Sequence, residues 1–149
     1  MMGMRLAEQK DIRELAFLLG ELGGHAVSEA EAEDRLRFCE NSPYDFLYVY
    51  EENGIIYGLC AFRIRENIEE CSRFGEVSAI VVHPEHRKKG IGKKMMRFME
   101  ELAAENGCLG LWLVSGFGRE EEAHEFYKRY GFQTTGYRFV KRFSRERTW

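Results

Sequence analysis

The sequence predicts an α/β fold: a mixed sheet with helices on both faces. Three observations predict it. Strand-like and helix-like stretches alternate along the chain. An Asn53-Gly54 pair joins two runs rich in aromatic and β-branched residues, which implies antiparallel pairing. A strand, a helix and a second strand follow one another between Phe74 and Val114, which implies a parallel pair with a crossover. The order reads β-α-α-β-β-β-α-β-α-β. With 149 residues and no repeat or low-complexity linker, residues 1–149 are expected to form a single domain.

The elements follow in turn. Arg5 to Glu8 reads as a short first strand. Asp11 and Glu14 give a helix start, and Ile12, Leu15, Ala16, Leu19 and Leu22 recur at helical spacing until Gly23-Gly24. Ser28 with Glu31 is a capping box for a second helix running to about Asn41, stopped by Ser42-Pro43. Phe46 to Tyr50 and Ile55 to Arg65 form the hairpin. Phe74 to Val82 is a strand ended by His83-Pro84. From Gly90 to Glu105 the apolar stripe Met95, Phe98, Met99, Leu102 and Ala103 marks an amphipathic helix. Leu109 to Val114 is nearly all apolar, as a strand covered on both faces would be. A Gly116–Gly118 loop, a helix from Arg119 to Tyr130 and a final strand or hairpin from Phe132 to Phe143 complete the chain.

Composition narrows the function classes. The net charge of −3 disfavours a general nucleic-acid binder. No apolar run is long enough for a membrane span, and the N-terminus has no signal-peptide pattern. Cys39, Cys60, Cys71 and Cys108 form no CxxC, so reduced thiols in a cytoplasm are expected. His83 and His86 straddle Pro84 and do not share a helical face, so no metal site is expected.

The chemistry concentrates in Val82-His83-Pro84-Glu85-His86-Arg87-Lys88-Lys89-Gly90-Ile91-Gly92-Lys93. A buried strand ends, a turn carries three consecutive cations, and two glycines open an amphipathic helix. A helix start offers unpaired N–H groups and a partial positive charge. Glycine lets the backbone approach an oxyanion, and successive N–H groups can form a nest. Arg87, Lys88, Lys89 and Lys93 add full charge. A diphosphate site at the start of the helix follows. A Walker A loop is excluded because Lys94 stands where Ser or Thr is needed. A dinucleotide fingerprint is excluded because Met95 replaces the third glycine.

This segment resembles motif A of the GNAT superfamily of acetyl-CoA-dependent N-acetyltransferases, V-x-P-x-x-[RQ]-x-x-G-x-[GA], through Val82, Pro84, Arg87, Gly90 and Gly92. Ala123, Phe126, Tyr127, Gly131 and Phe132 resemble the family's later motif, A-x-x-F-Y-x-x-x-G-F. The resemblance implies a GNAT-like fold whose sheet splays open between the strands ending at Val82 and Val114. Coenzyme A would lie there as co-substrate, with its diphosphate on Arg87, Lys88, Lys89, Gly90, Ile91, Gly92 and Lys93. Its pantetheine arm would pair with Ile80, Val81 and Val82, near Ser115.

The resemblance also implies roles. Tyr127 matches the tyrosine that protonates the departing thiolate, although its spacing with Ala123, Phe126 and Tyr130 also suits a core position. A phenol, with a pKa of about 10, suits a thiolate leaving group. Glu76 matches the base of the histone-type members. From the residues alone it equally reads as a solvent-facing or Arg73-paired carboxylate. Ser78 stands where many members carry a second acid, which weakens a water relay. The acceptor is expected to be a primary amine, of a cationic small molecule or a protein, drawn by acidic stretches such as Glu29 to Asp34. Homodimers are common in the family. The alternative is a non-catalytic acyl-CoA-binding sensor, which would keep the loop but need neither Glu76 nor Tyr127.

Overall fold

The computed structural model describes residues 3–114 and 120–143. Contacts divide the chain into two compact units, residues 1–113 and 114–149. The first contains β1 (Gly3–Leu6), α1 (Ile12–Gly23), α2 (Glu29–Asn41), β2 (Asp45–Glu52), β3 (Ile55–Asn67), β4 (Ser72–Val82), α3 (Ile91–Glu105) and β5 (Leu111–Leu113). The second contains α4 (Glu120–Arg129).

The sheet order is β1-β2-β3-β4-β5. The first three pairings are antiparallel and β4–β5 is parallel. Asn53 and Gly54 take φ of 51° and 80°, the two left-handed residues of a type I′ hairpin turn. Leu47, Val49, Leu59 and Val81 are buried on the face that receives Leu15 and Leu18 of α1 and Ala32 and Leu36 of α2. Alternation sends Tyr48, Cys60 and Phe62 to the other face. There Phe98 of α3 meets the Tyr48 ring edge-on at 4.8 Å, and Met95, Met96 and Met99 are fully buried. Burial pushes the Cys60 thiol up to about 12.

Side-chain capping fixes where α2 begins. Ser28 Oγ accepts from the Glu31 N–H, and Glu31 returns a bond from the Ser28 N–H. α1 begins just after Asp11 and ends at Gly23, as expected, but the Asp11 side chain does not cap it. Asp11 reaches backwards, accepting from the Glu8 N–H at 2.8 Å and from both Arg5 terminal nitrogens. Its side chain thus closes a 3-10 turn, Gln9–Asp11, rather than capping α1. The same turn ends β1 at Leu6, two residues before the expected boundary.

β4 contains the feature that shapes the site. Ala79 pairs with Ala61, but Val77 pairs with Phe62, so Ser78 is an extra residue without a partner on β3. This bulge turns Val77 toward the α3 face and Ala79 and Val81 toward α1. β5 meets only Gly75, Glu76 and Val77. From Ser78 to Val82 the β4 edge carries no ladder partner on that side among the described residues.

In the second unit, Gly131 takes φ of 84° just past α4. Its N–H bonds the Lys128 carbonyl, and the Phe132 N–H bonds the Tyr127 carbonyl. That is a Schellman termination, and the Tyr127 and Phe132 rings meet edge-on at 5.9 Å across it. The expected strand from Phe132 to Phe143 is absent: residues 132–143 are irregular. Aromatic and β-branched content supplies only a propensity, and a strand forms where a ladder partner satisfies its backbone.

Candidate active site

The open edge of β4 runs directly into the cationic loop. His83 donates its N–H to the Tyr57 carbonyl at 2.8 Å. In an antiparallel ladder the main-chain groups alternate in direction. The Val81 groups therefore face Leu59 of β3, while those of Ile80 and Val82 face the open side. Of the three residues expected to pair with an amide-bearing arm, Ile80 and Val82 present their backbone to it. Val81 instead buries its side chain in the core. Arg87 Nε lies 3.4 Å from the Val82 carbonyl, tying the loop to the strand end.

The loop itself has alternating handedness. Lys88 and Gly90 take φ of 64° and 80°, with Lys89 between them outside the left-handed region. Such alternation converges successive N–H groups into an anion nest. Gly90 is also the N-cap of α3, so the unpaired N–H groups of the first helical turn add to it. Lys88, Lys89 and Lys93 are exposed, Arg87 is half-buried, Ile91 is buried beneath the turn and Gly92 is half-buried. Lys94 is diverted from the loop: its ammonium lies 3.2 Å from the Tyr50 hydroxyl, which in turn donates to Glu52. Among the described residues, Lys88 and Asn53 are the non-glycine residues held left-handed, and at Lys88, which lacks the local side-chain bonds of an Asn, this conformation costs free energy.

A ladder of rings lies alongside. Phe17 of α1 stacks on His83 at 4.9 Å, His83 and His86 are 5.2 Å apart, and His86 stacks on Tyr57 of β3 at 4.0 Å. The two imidazoles, which Pro84 was expected to separate, are brought together by the 3-10 turn Pro84–His86. With Glu85 they place one potential ligand atom each within 4.8 Å. His83 Nδ1 already accepts from the Glu85 N–H, and His86 Nδ1 lies 3.3 Å from the Lys89 ammonium. That positive charge opposes a cation there.

Glu76 sits on β4 where β5 is still paired, beside Trp112. Its carboxylate accepts from Arg65 at 3.1 Å, not from Arg73, which binds Glu66. The Arg65 guanidinium in turn lies 4.6 Å over the Trp112 ring. In α4, Tyr127 is half-buried and packs against Phe126 as well as Phe132. Ser115 lies outside the described residues.

Arg65, Trp112 and Tyr57 were not singled out by sequence, and His86 was weighed there only as a metal ligand. Arg65 follows Arg63 at strand alternation, a weak signal of two cations on one face. His86 and Tyr57 meet only through the tertiary fold, which spacing does not report. The acidic residues of α2 are largely spent on local pairs: Glu33 binds Arg37 and Asp34 binds Arg35. Two open grooves lie along α1, and neither is lined by a residue of the 87–93 loop.

The profile of the Acetyltransferase (GNAT) domain matches residues 43–134. The chain belongs to the GNAT acetyltransferase family. The matched span contains Glu76, the 87–93 loop and Tyr127. Among curated relatives, an aminoalkylphosphonate N-acetyltransferase of Salmonella typhimurium is 29% identical over 89 residues, 60% of this chain and 57% of that protein. The chain thus spans little more than half the length of that relative. A GNAT family acetyltransferase from Staphylococcus aureus has a similar structure, with a TM-score of 0.79 at 26% identity over 95% of this chain and 98% of that one. An aminoglycoside N-acetyltransferase in complex with CoA shares the fold with a TM-score of 0.81, at 16% identity over 95% of this chain and 94% of the other. No described helix is long and apolar enough to cross a membrane.

Proposed function

We propose that the protein transfers an acetyl group from acetyl-CoA to a primary amine of a small-molecule or protein acceptor. The observation that carries this reading is the open β4 edge leading into the loop at the start of α3. An amide-bearing arm would extend the sheet against Ile80 and Val82, and a diphosphate would sit on the nest of Lys88 to Ile91. Arg87, Lys89 and Lys93 supply charge, and Ser115 is assigned to the arm by family position. Both features suit a CoA thioester, and neither requires a metal.

The reaction then needs three services. A base removes a proton from the acceptor ammonium, and the freed nitrogen attacks the thioester carbonyl. A backbone N–H near Val82 stabilises the developing oxyanion. As the C–S bond breaks, Tyr127 gives its phenolic proton to the sulfur, and the second proton of the acylated nitrogen returns to the resulting phenolate, leaving an acetamide and free thiol. Glu76 is assigned as the base. It has to act from within its Arg65 ion pair, so an incoming ammonium must compete for the same carboxylate. A Tyr127→Phe variant is expected to lower kcat about 10²-fold with little change in the KM for acetyl-CoA. Unchanged turnover would remove the acid role. For Glu76→Gln, the expected result is loss of the acidic limb of the kcat/KM pH profile, and an unshifted profile would exclude it as base.

The Glu76–Arg65 pair also favours a second reading, a non-catalytic module that senses acyl-CoA. Calorimetric titration with acetyl-CoA, CoA and ATP tests the part common to both. Selective binding of the CoA species, abolished by Gly90→Glu, is expected. No binding of CoA would end both readings. An amine screen then separates them, because only an enzyme releases CoA thiol.

A further inference from the structure

We propose that His86 is a further cofactor-positioning residue: its imidazole controls, by its protonation, how much positive charge the 87–93 loop presents to a bound diphosphate. The inference rests on the reading of that loop as a CoA site. It goes beyond that reading by naming a residue outside the loop and a proton that accompanies binding.

The geometry makes the argument. His86 is half-buried between two rings, Tyr57 at 4.0 Å and His83 at 5.2 Å. Its Nδ1 lies 3.3 Å from the Lys89 ammonium. An ammonium only donates, so this bond exists only while Nδ1 keeps its lone pair. In the neutral state, then, His86 holds Lys89 back over the Tyr57 face, where the ammonium is 5.9 Å from the ring centroid. Protonation removes the acceptor and sets two positive charges side by side. Lys89 is released toward the nest, and the imidazolium adds a second charge close to it.

The groups around His86 define the direction. Burial, then Lys89 and His83, hold its pKa below the usual imidazole value, while Glu85 on the same turn and Glu52 on β2 act weakly the other way. Phe17 of α1 and Tyr57 of β3 contribute uncharged rings to the stack. The free protein therefore holds His86 neutral near pH 7. A bound diphosphate reverses the balance, because an anion favours the charged imidazole. By linkage, binding takes up a proton between the free and the bound pKa. Affinity rises as pH falls through that window and levels off below it.

The experiment is calorimetry with 3′-dephospho-CoA at pH 8.0 and pH 5.5, in buffers of differing ionisation enthalpy. This probe keeps the diphosphate but lacks the phosphate monoester, whose own proton near pH 6 would confuse the reading. The expected result is an affinity gain of about three- to tenfold at the lower pH, since a one-unit pKa shift yields tenfold. Net proton uptake accompanies it. In His86→Gln, which keeps a hydrogen-bond acceptor but no titration, affinity is expected to stay at the pH 8.0 level throughout. His86→Phe, which keeps the stack on Tyr57, is expected to lose the proton uptake as well. His83→Gln is expected to retain the pH response. Equal wild-type affinities at both pH values would overturn the inference and leave the CoA site standing. A pH response that survives in His86→Gln, or vanishes in His83→Gln, would also overturn it by assigning the proton elsewhere. Absence of binding at both pH values would instead overturn the CoA reading, and this inference with it.

Discussion

Gly75 shows how one residue can be fixed by its neighbours. It lies on β4 opposite Ile64 and against β5. A Cβ there would come 2.4 Å from the Phe62 ring and 3.0 Å from Leu111. Phe62 is fully buried, so its ring would have to shift within the core to make room. Gly75→Ala is therefore expected to destabilise the fold by about 1–3 kcal/mol, the usual cost of overpacking a filled core. Denaturant unfolding of the variant measures it, and an unchanged midpoint would show that Phe62 can move. Gly90 contrasts with it. Nothing lies within 4 Å of a Cβ built on Gly90, so its constraint is the left-handed φ alone. Gly90→Ala is expected to cost only about 1 kcal/mol in stability. Its effect on CoA binding should be larger than that, because the nest needs this backbone conformation. A thermal scan beside a CoA titration separates the two effects. The residue scale is also where sequence reading was least complete. Nothing in the spacing of Glu76 revealed Arg65 as its partner, because that pair is diagonal across two strands and rests on a ring from a third.

At the scale of elements, legibility followed the range of the interaction. The Asn53-Gly54 turn, the Ser28–Glu31 box and the Gly131 helix stop are each settled within a few residues, and each stands where the sequence placed it. The cationic turn before α3 belongs to the same group, since its strand, loop and helix are contiguous. Asp11 stands at the start of α1, where the sequence placed it, but its side chain does not cap that helix because two local partners compete for it. The sequence offers it the helix ahead, but the Glu8 N–H and the Arg5 guanidinium lie behind it and bind it first. The bulge at Ser78 was invisible because it is a property of the register between β3 and β4. Yet it decides which way Val77 and Ala79 face. The irregular path of 132–143 was missed for a related reason: alternation is a local signal, and a strand needs a partner.

For the molecule as a whole, the Arg5 cluster is the device that joins distant parts of the first unit. Arg5 of β1 binds Asp11 at 2.8 and 2.9 Å and Glu51 of β2 at 3.0 and 3.2 Å. One guanidinium thus links the sheet edge to the turn that launches α1. Asp11 is 3% exposed, so it is not simply a surface ion pair. Burial on its own would raise its pKa, but the Arg5 hydrogen bonds and the Glu8 N–H outweigh this and hold it below the usual carboxylate value. Arg5 lowers Glu51 in the same way. The unfolded chain therefore binds these protons more readily than the folded one. Stability from the cluster is fully present above the unfolded carboxylate pKa of about 4 and is lost as pH falls through the lower folded values. Asp11→Asn keeps the shape but removes one charge, leaving Arg5 with Glu51 as its remaining close ionic partner on β2. The variant is expected to be about 1–3 kcal/mol less stable at pH 7, in the range for losing hydrogen bonds to a charged group. Its stability should also change less than the wild type's between pH 5 and pH 2, because one of the two displaced titrations is gone. Urea unfolding across that interval measures both effects. Parallel pH profiles for the two proteins would show that Asp11 carries no proton linkage and that the cluster holds the sheet to α1 by shape rather than by charge.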